Sequence, residues 1–307
     1  MRHALTALLL LFAASARAAE WRPLESGGGT NAVEKSLSVV KVGDVLIPSA
    51  PADGLVVLTN TPVAMLVDCA PQGAGAFLST TWQTRRLKSD GSYEEWQLAS
   101  GSRPGASHVF TPQFGGIYQV RAAAAVAAGG SDERFYRWDA DEDAELGLKK
   151  KGDLKAIGIC DEQWQIDLRN CARGYIGSTA YALEANLAGM YGFASVDAGS
   201  WKCNYFVAYR IRETGLALAP QRQRLWRKYP PLANDWANGA DISDWEYLGR
   251  MLYVQPGLVV GHPAAIGSGH VGIVDFDGNA IAAGGEKVNR KYRKWIDGTS
   301  GYSKRTE

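Results

Sequence analysis

Apolar and polar positions change their rhythm along the chain. Residues 4–14 are almost continuously apolar. Residues 37–127 then run in short alternating or apolar stretches: Leu37-Ser38-Val39-Val40-Lys41-Val42, Leu55-Val56-Val57-Leu58, Val63-Ala64-Met65-Leu66-Val67, Thr81-Trp82-Gln83-Thr84, Glu95-Trp96-Gln97-Leu98 and Tyr118-Gln119-Val120-Arg121-Ala122. The turn signals Asp53-Gly54, Asp90-Gly91 and Gly115-Gly116 fall between them, which predicts a small all-β sandwich. From about residue 157 the texture becomes α+β. The Ala-rich stretch 178–190 predicts a helix with Ser178 or Thr179 as its N-cap. Residues 203–214 predict a second helix, because Cys203, Phe206, Val207 and Ile211 share one face and Gly215 follows as a stop. Short strands are expected at 258–260 and 270–275, then a hairpin turn at Asp277-Gly278 and a returning strand at 279–283.

The apolar start is read as targeting, not fold. Residues 1–18 have the form of a secretory signal peptide, with a small-x-small site at Ala16-Arg17-Ala18 and cleavage before Ala19. No cysteine follows the cut to carry a lipid. No later segment reaches the ~20 apolar residues of a transmembrane helix. The expected product is bacterial, periplasmic or secreted, with no membrane anchor after cleavage. Residues 19–36, with Gly27-Gly28-Gly29, read as a tether or an early edge strand. Residues 128–156 read as a charged linker, acidic over 139–145 and basic at Lys149-Lys150-Lys151. A formal net charge of +1 gives no electrostatic case for nucleic acid. No phosphate-binding loop or cluster of metal ligands is visible, so no cofactor and no metal are expected.

Four cysteines carry most of the remaining information. Cys160 and Cys171 flank one short segment and are the natural disulfide pair of an exported chain. Cys203 then stays reduced, and Cys69 is a buried thiol in the sandwich. Cys69 and Trp82 stand at a spacing that resembles the Cys…Trp pair of immunoglobulin-like domains. The run 114–120 resembles the tyrosine-corner approach to strand F. The second immunoglobulin cysteine would fall at Val120, so the resemblance is to such a domain without its inter-sheet disulfide.

A cysteine at the first turn of a helix meets the positive end of the helix dipole, which favours the thiolate. Free backbone N–H groups there can hold an oxyanion. A histidine on a neighbouring strand can take the thiol proton and return one to a leaving amine. Cys203 and His270 supply that pair. His262 competes with His270, but Gly269 and Gly272 allow close approach around His270, and Val271, Ile273 and Val274 make its strand a buried one. His108 lies in the sandwich as a structural or exposed residue.

In combination these motifs are specific. Residues 172–295 resemble CHAP domains (cysteine, histidine-dependent amidohydrolase/peptidase) and their NlpC-type relatives, which are papain-like. Residues 175–181 resemble the helix before the nucleophile, Lys202-Cys203-Asn204-Tyr205-Phe206-Val207 the nucleophile motif, and Gly269-His270-Val271-Gly272-Ile273-Val274 the histidine motif. Gln255-Pro256-Gly257-Leu258 resembles the family's Pro-Gly-Asp strand, with Leu258 in place of Asp. Residues 231–238 resemble an insert of a subset that includes antibacterial toxins.

The resemblance implies a papain-like cysteine amidase/peptidase domain over 157–307 and a peptidoglycan peptide as substrate. The bond would be a stem-peptide amide or the muramoyl–L-alanine amide. It also implies a third residue to orient His270. Ala282 and Ala283 occupy the expected stretch, so Glu286 comes first and Asn289 second as candidates, with a backbone carbonyl or water as the alternative. Trp201, Tyr181 (or Tyr175) and Trp236, with Asp235, are candidates to line the substrate groove; core packing is the other reading of the tyrosines. Two rival functions stay open. One is a catalytically degenerate papain-like domain in a binding or structural envelope protein, suggested by Leu258 and the missing third residue. The other is an exported antibacterial amidase, with an immunity protein as partner.

Overall fold

The computed structural model of the chain describes residues 19–20, 33–46, 55–71, 75–99, 107–128, 133–136, 157–224, 226–249, 253–263, 269–291 and 300–304. The signal-peptide segment, most of the tether, most of the charged linker and the side chain of Cys69 lie outside the described residues.

The N-terminal strands are β1 (Ala19–Glu20), β2 (Val33–Val42), β3 (Val45–Leu46), β4 (Val56–Leu58), β5 (Val63–Pro71) and β6 (Gly75–Arg86). Then come β7 (Gln97–Leu98), β8 (Ser107–Phe110), β9 (Gly116–Ala128), β10 (Glu133–Tyr136) and β11 (Ile157–Cys160). They make two sheets. One runs β1-β2-β5-β8 with β3 on β2; the other runs β4-β11-β9-β6-β7 with β10 on β9. A single core joins them, with Val63, Met65 and Phe110 from the first and Val57, Trp82, Val120, Ile157 and Ile159 from the second. Alternation along β8 turns His108 and Phe110 inward, with Ser107 and Val109 outward. The His108 ring stacks on Trp82 with centroids 5.4 Å apart.

Two boundaries move. Residues 157–160 open the stretch assigned from sequence to the second domain, yet β11 pairs parallel with β4 and antiparallel with β9. All four of its residues are buried. A continuous apolar run of that length needs cover on both faces, and the two-sheet core provides it. Inside the charged linker, residues 133–136 pair with β9 as β10.

The second unit opens two residues after β11 with helix α1 (Gln163–Arg173). Its signal was in the sequence. The Gln165 side-chain oxygen accepts hydrogen bonds from the Asp161 and Glu162 backbone N–H groups, 2.9 Å each, and fastens the helix start. Helix α2 (Cys203–Glu213), strands β12 (Arg222–Arg224) and β13 (Arg227–Tyr229) and the short helix α3 (Ala233–Ala237) follow. The remaining strands are β14 (Trp245–Gly249), β15 (Val259–His262), β16 (His270–Val274), β17 (Ala280–Ala283), β18 (Val288–Lys291) and β19 (Ser300–Lys304). Their sheet is open, in the order β14-β19-β15-β16-β17-β18. Its hairpin closes as expected, with the Asp275 N–H donating to Asn279 O at 2.7 Å and Gly278 at φ 86°.

Each face of this sheet has its own cover. Phe206, Val207 and Ile211 of α2 join Val271, Ile273 and Ile281 in one core. On the opposite face, Leu258, Val260, Val274 and Ala280 pack with Leu87 and Ile117 of the N-terminal unit. Leu258 is 2% exposed. A carboxylate in its place would be buried among apolar side chains, which explains the leucine.

The helix expected at 178–190 does not form. Residues 174–200 run as turns with one isolated bridge, Leu187 to Val196. The backbone finds partners elsewhere. Gly177 N–H donates to Val288 O and Val288 N–H to Ser178 O, both at 2.8 Å. An exposed strand edge has satisfied the groups an Ala-rich helix would have satisfied internally, a tertiary override of local propensity. The helix expected over 175–181 from the family resemblance is absent for the same reason, and α1 ends just before it.

Candidate active site

Cys203 is the first residue of α2, with Lys202 at the N-cap. Lys202 is buried and its side chain folds back onto the preceding segment. Nζ donates to the carbonyls of Ala182 at 3.0 Å, Leu183 at 3.1 Å and Ser200 at 2.8 Å. Burial pulls its pKa below the ordinary lysine value. The Leu183 N–H in turn donates to Gly285 O at 2.6 Å. The segment before the cysteine is therefore tied both to the helix start and to the turn between β17 and β18. Sequence reasoning saw Lys202 only as part of a motif; a lysine beside a helix start in an apolar run was the available signal.

Cys203 itself is 2% exposed and belongs to the core shared with Val271, Ala283 and Val288. His270 begins β16, is half-buried, and pairs across the ladder with His262. The His262 ring donates from Nδ1 to Pro263 O at 2.6 Å, which commits that nitrogen to its own strand end. Asn234 reaches the same place from α3, since a Cβ added at Gly269 would stand 2.4 Å from its Oδ1.

Register separates the two candidates for the third position. Ile273 faces Ile281 and Val274 faces Ala280. On the next strand Asn289 faces Ala282, so its side chain shares the sheet face of Ala282 and Gly284. A Cβ on Gly284 would lie 2.9 Å from Asn289 Nδ2. The Asn289 amide thus fills the space that a side chain at position 284 would have used. Its Oδ1 is buried and makes no hydrogen bond among the described residues. Glu286 is exposed at the turn between the strands. Trp201 completes the arrangement: it is 55% exposed, and a Cβ on Gly285 would be 3.7 Å from its ring. Cys203 at the start of α2 shares one buried core with Val271 of β16 and Ala283 at the end of β17.

Other expected site residues lie elsewhere. Tyr181 is 4% exposed, accepts a hydrogen bond from Arg210 Nη2 at 2.9 Å and sits edge-on to Phe206. Burial pushes its phenol up to about 12. Trp236 is 1% exposed and edge-on to Trp245. Both belong to the core and not to a groove wall, because the apolar faces of α2 and the sheet close over them. Asp235 caps α3 by accepting the Leu232 N–H at 2.7 Å.

The expected disulfide is not present, and no disulfide joins Cys160, Cys171 and Cys203. Cys160 ends a strand, with its Sγ donating to Pro256 O at 3.5 Å. Cys171 stands eight residues into α1, about 12 Å along its axis at 1.5 Å per residue. Disulfide geometry needs Cα atoms within about 7 Å. Burial pushes the Cys160 thiol up to about 12 and the Cys171 thiol up to about 11.

Among the described residues no group of His, Cys, Asp and Glu could hold a metal ion, and no helix is long and apolar enough to cross a membrane. The fold these elements define is β-rich, with open sheets and few helices. Compared with known proteins, the chain matches no family model, no curated protein and no solved structure.

Proposed function

We propose that the chain is an exported cell-wall hydrolase in which an immunoglobulin-like domain precedes a papain-like cysteine amidase. The observation that carries this reading is that the helix beginning at Cys203 packs, through one buried core, on the strand beginning at His270. The buried Trp82 and the Tyr118 hydroxyl, which donates to Phe114 O at 3.1 Å, support the immunoglobulin-like part.

In the proposed reaction His270 takes the Cys203 proton and the thiolate attacks the amide carbon. The N–H groups at the start of α2 hold the oxyanion. As the C–N bond breaks, His270 gives its proton to the leaving amine and a thioester remains. Water, deprotonated by His270, then attacks the thioester and releases the acid and the thiol. Asn289 orients the imidazole; catalytic hydrogen bonds commonly tighten only once substrate is bound. Trp201, exposed beside Cys203 in sequence, offers a platform for a peptide or sugar face. The substrate is the peptide part of peptidoglycan.

The burial of Leu258 against the N-terminal unit weighs against a degenerate site, since the departure from the family pattern has a packing cause. The test is digestion of sacculi followed by mass spectrometry of the muropeptides, which reads both activity and bond. Cys203→Ala and His270→Ala should abolish release, Asn289→Ala should lower it roughly 100-fold, and Glu286→Ala should leave it unchanged. Undiminished release by Cys203→Ala would sink the mechanism.

A further inference from the structure

The hairpin β12–β13 breaks a rule that a hairpin folded only for stability in water would keep. Its strands are joined by two residues, where Asn-Gly or Asp-Gly is the favoured chemistry. Here the sequence is Leu225-Trp226, and Trp226 is 80% exposed. Arg222, Arg224, Arg227 and Lys228 stand in this short stretch, and no carboxylate occurs between Glu213 and Asp235. Arg227 and Lys228 are exposed.

The base of the hairpin, by contrast, is firmly seated. Tyr229 packs against the core of the second unit. Lys228 O accepts the Ala194 N–H at 2.8 Å, and Tyr229 O accepts the Gln221 N–H at 3.1 Å. Just before Ala194 on that loop, Met190 and Tyr191 are 46% and 41% exposed. An anchored base with a cationic rim and an aromatic tip is the reverse of what core packing would select.

We propose that this hairpin docks the protein on an anionic phospholipid surface. Trp226 seats at headgroup level, where an indole satisfies both its apolar body and its N–H. Arg227 and Lys228, both exposed, face the phosphates. A soluble polyanion would neutralise the charges but gives no use for the exposed indole, so the surface is the better occupant. This proposal does not depend on the hydrolase reading.

Co-sedimentation of the full chain with vesicles of equimolar phosphatidylglycerol and phosphatidylcholine, against pure phosphatidylcholine, tests it. The double variant Arg227→Ala/Lys228→Ala should bind the anionic vesicles roughly 30-fold more weakly, about fivefold for each cation lost. It should bind pure phosphatidylcholine no differently from the unaltered chain, which allows for any contribution from the apolar N-terminal segment. Quenching by brominated phosphatidylglycerol should fall in Trp226→Phe/Met190→Ala only if these side chains reach the headgroups; added salt should weaken the charge-dependent part. Circular dichroism confirms that each variant folds. Equal binding of the double variant and the unaltered chain to anionic vesicles overturns the proposal. So does a variant that loses binding to soluble polyphosphate while its vesicle binding is unchanged.

Discussion

The two units of this chain bury different things. Among the described residues, the two-sheet unit buries no carboxylate, lysine or arginine; its buried titratable side chains are His108, stacked on Trp82, and Cys160. The second unit buries Arg169, Lys202, Arg210 and Asp275. Asp275 is fully enclosed and meets Arg169 Nε at 2.7 Å, Arg290 Nε at 2.8 Å and Arg173 Nη1 at 3.2 Å. Those contacts tie α1 to the end of β16 and to β18. Lys202 ties the loop before Cys203 to the helix start. Arg210 lies over the Tyr175 ring, 3.5 Å from its centroid, and bonds Tyr181. Buried charge is a poor way to gain stability, because desolvation offsets much of the attraction. It is a good way to fix one arrangement, because an ion pair tolerates few geometries. The difference teaches that the first unit needs only to be packed, whereas the second has to hold a helix start and a strand start in register.

The largest test of this contrast is Asp275→Asn. It strands two or three guanidinium groups around a neutral amide, and should cost about 3–5 kcal/mol in urea unfolding. A loss under about 1 kcal/mol would mean that the cluster is a solvated ornament. Next is Leu258→Ala, at the face where the two units share a core. It should cost about 2–4 kcal/mol, and the units should unfold in one transition. Two separated transitions in the unaltered chain would break the view that they are joined by a common core. Lys202→Met follows. It removes the donor to three carbonyls and should cost about 1–3 kcal/mol, with a larger effect on hydrolysis than its stability loss explains.

Smaller effects separate the thiols and the histidine. At neutral pH, iodoacetamide should leave Cys160 and Cys171 unmodified in the folded chain, since burial pushes them up to about 12 and about 11. Modification of either at the rate of a model thiol would contradict their enclosure. Smallest is the pH response of the two-sheet unit. Burial holds the His108 imidazole below its ordinary value of 6.5. The unfolded chain therefore binds the proton more readily, so stability is full above about 6.5 and declines as pH falls through it. His108→Phe keeps the ring against Trp82 and should remove that acid-side decline, read as the difference in unfolding free energy between neutral and mildly acid solution. An unchanged slope would assign the decline to other groups.

Much of the frame was legible in the sequence, because its determinants are local. Period-two runs with turn residues between them marked β4, β5, β6 and β9. The shared face of Cys203, Phe206, Val207 and Ile211, closed by Gly215 at φ 79°, marked α2. Asp277-Gly278 marked the hairpin after His270. Each of these signals is complete within about ten residues. Helix α1 carried a local signal too, in Gln165 three residues after Glu162.

The rest depended on partners far along the chain. Helical propensity at 178–190 lost to the edge of β18, more than a hundred residues away in sequence. Tyr181 and Trp236 are groove candidates by family resemblance and become core residues once α2 and the sheet close on them. Glu286 and Asn289 are indistinguishable as sequence neighbours; sheet register exposes one and lays the other's amide over Gly284. The sequence by itself determined strands β4, β5, β6 and β9, helix α2 and the hairpin after β16, and placed a thiol and an imidazole at the starts of α2 and β16. Only the tertiary structure decided which edges pair, which aromatics are enclosed and which polar side chain lies over Gly284, because those outcomes are set by contacts such as Arg169 with Asp275, 106 residues apart.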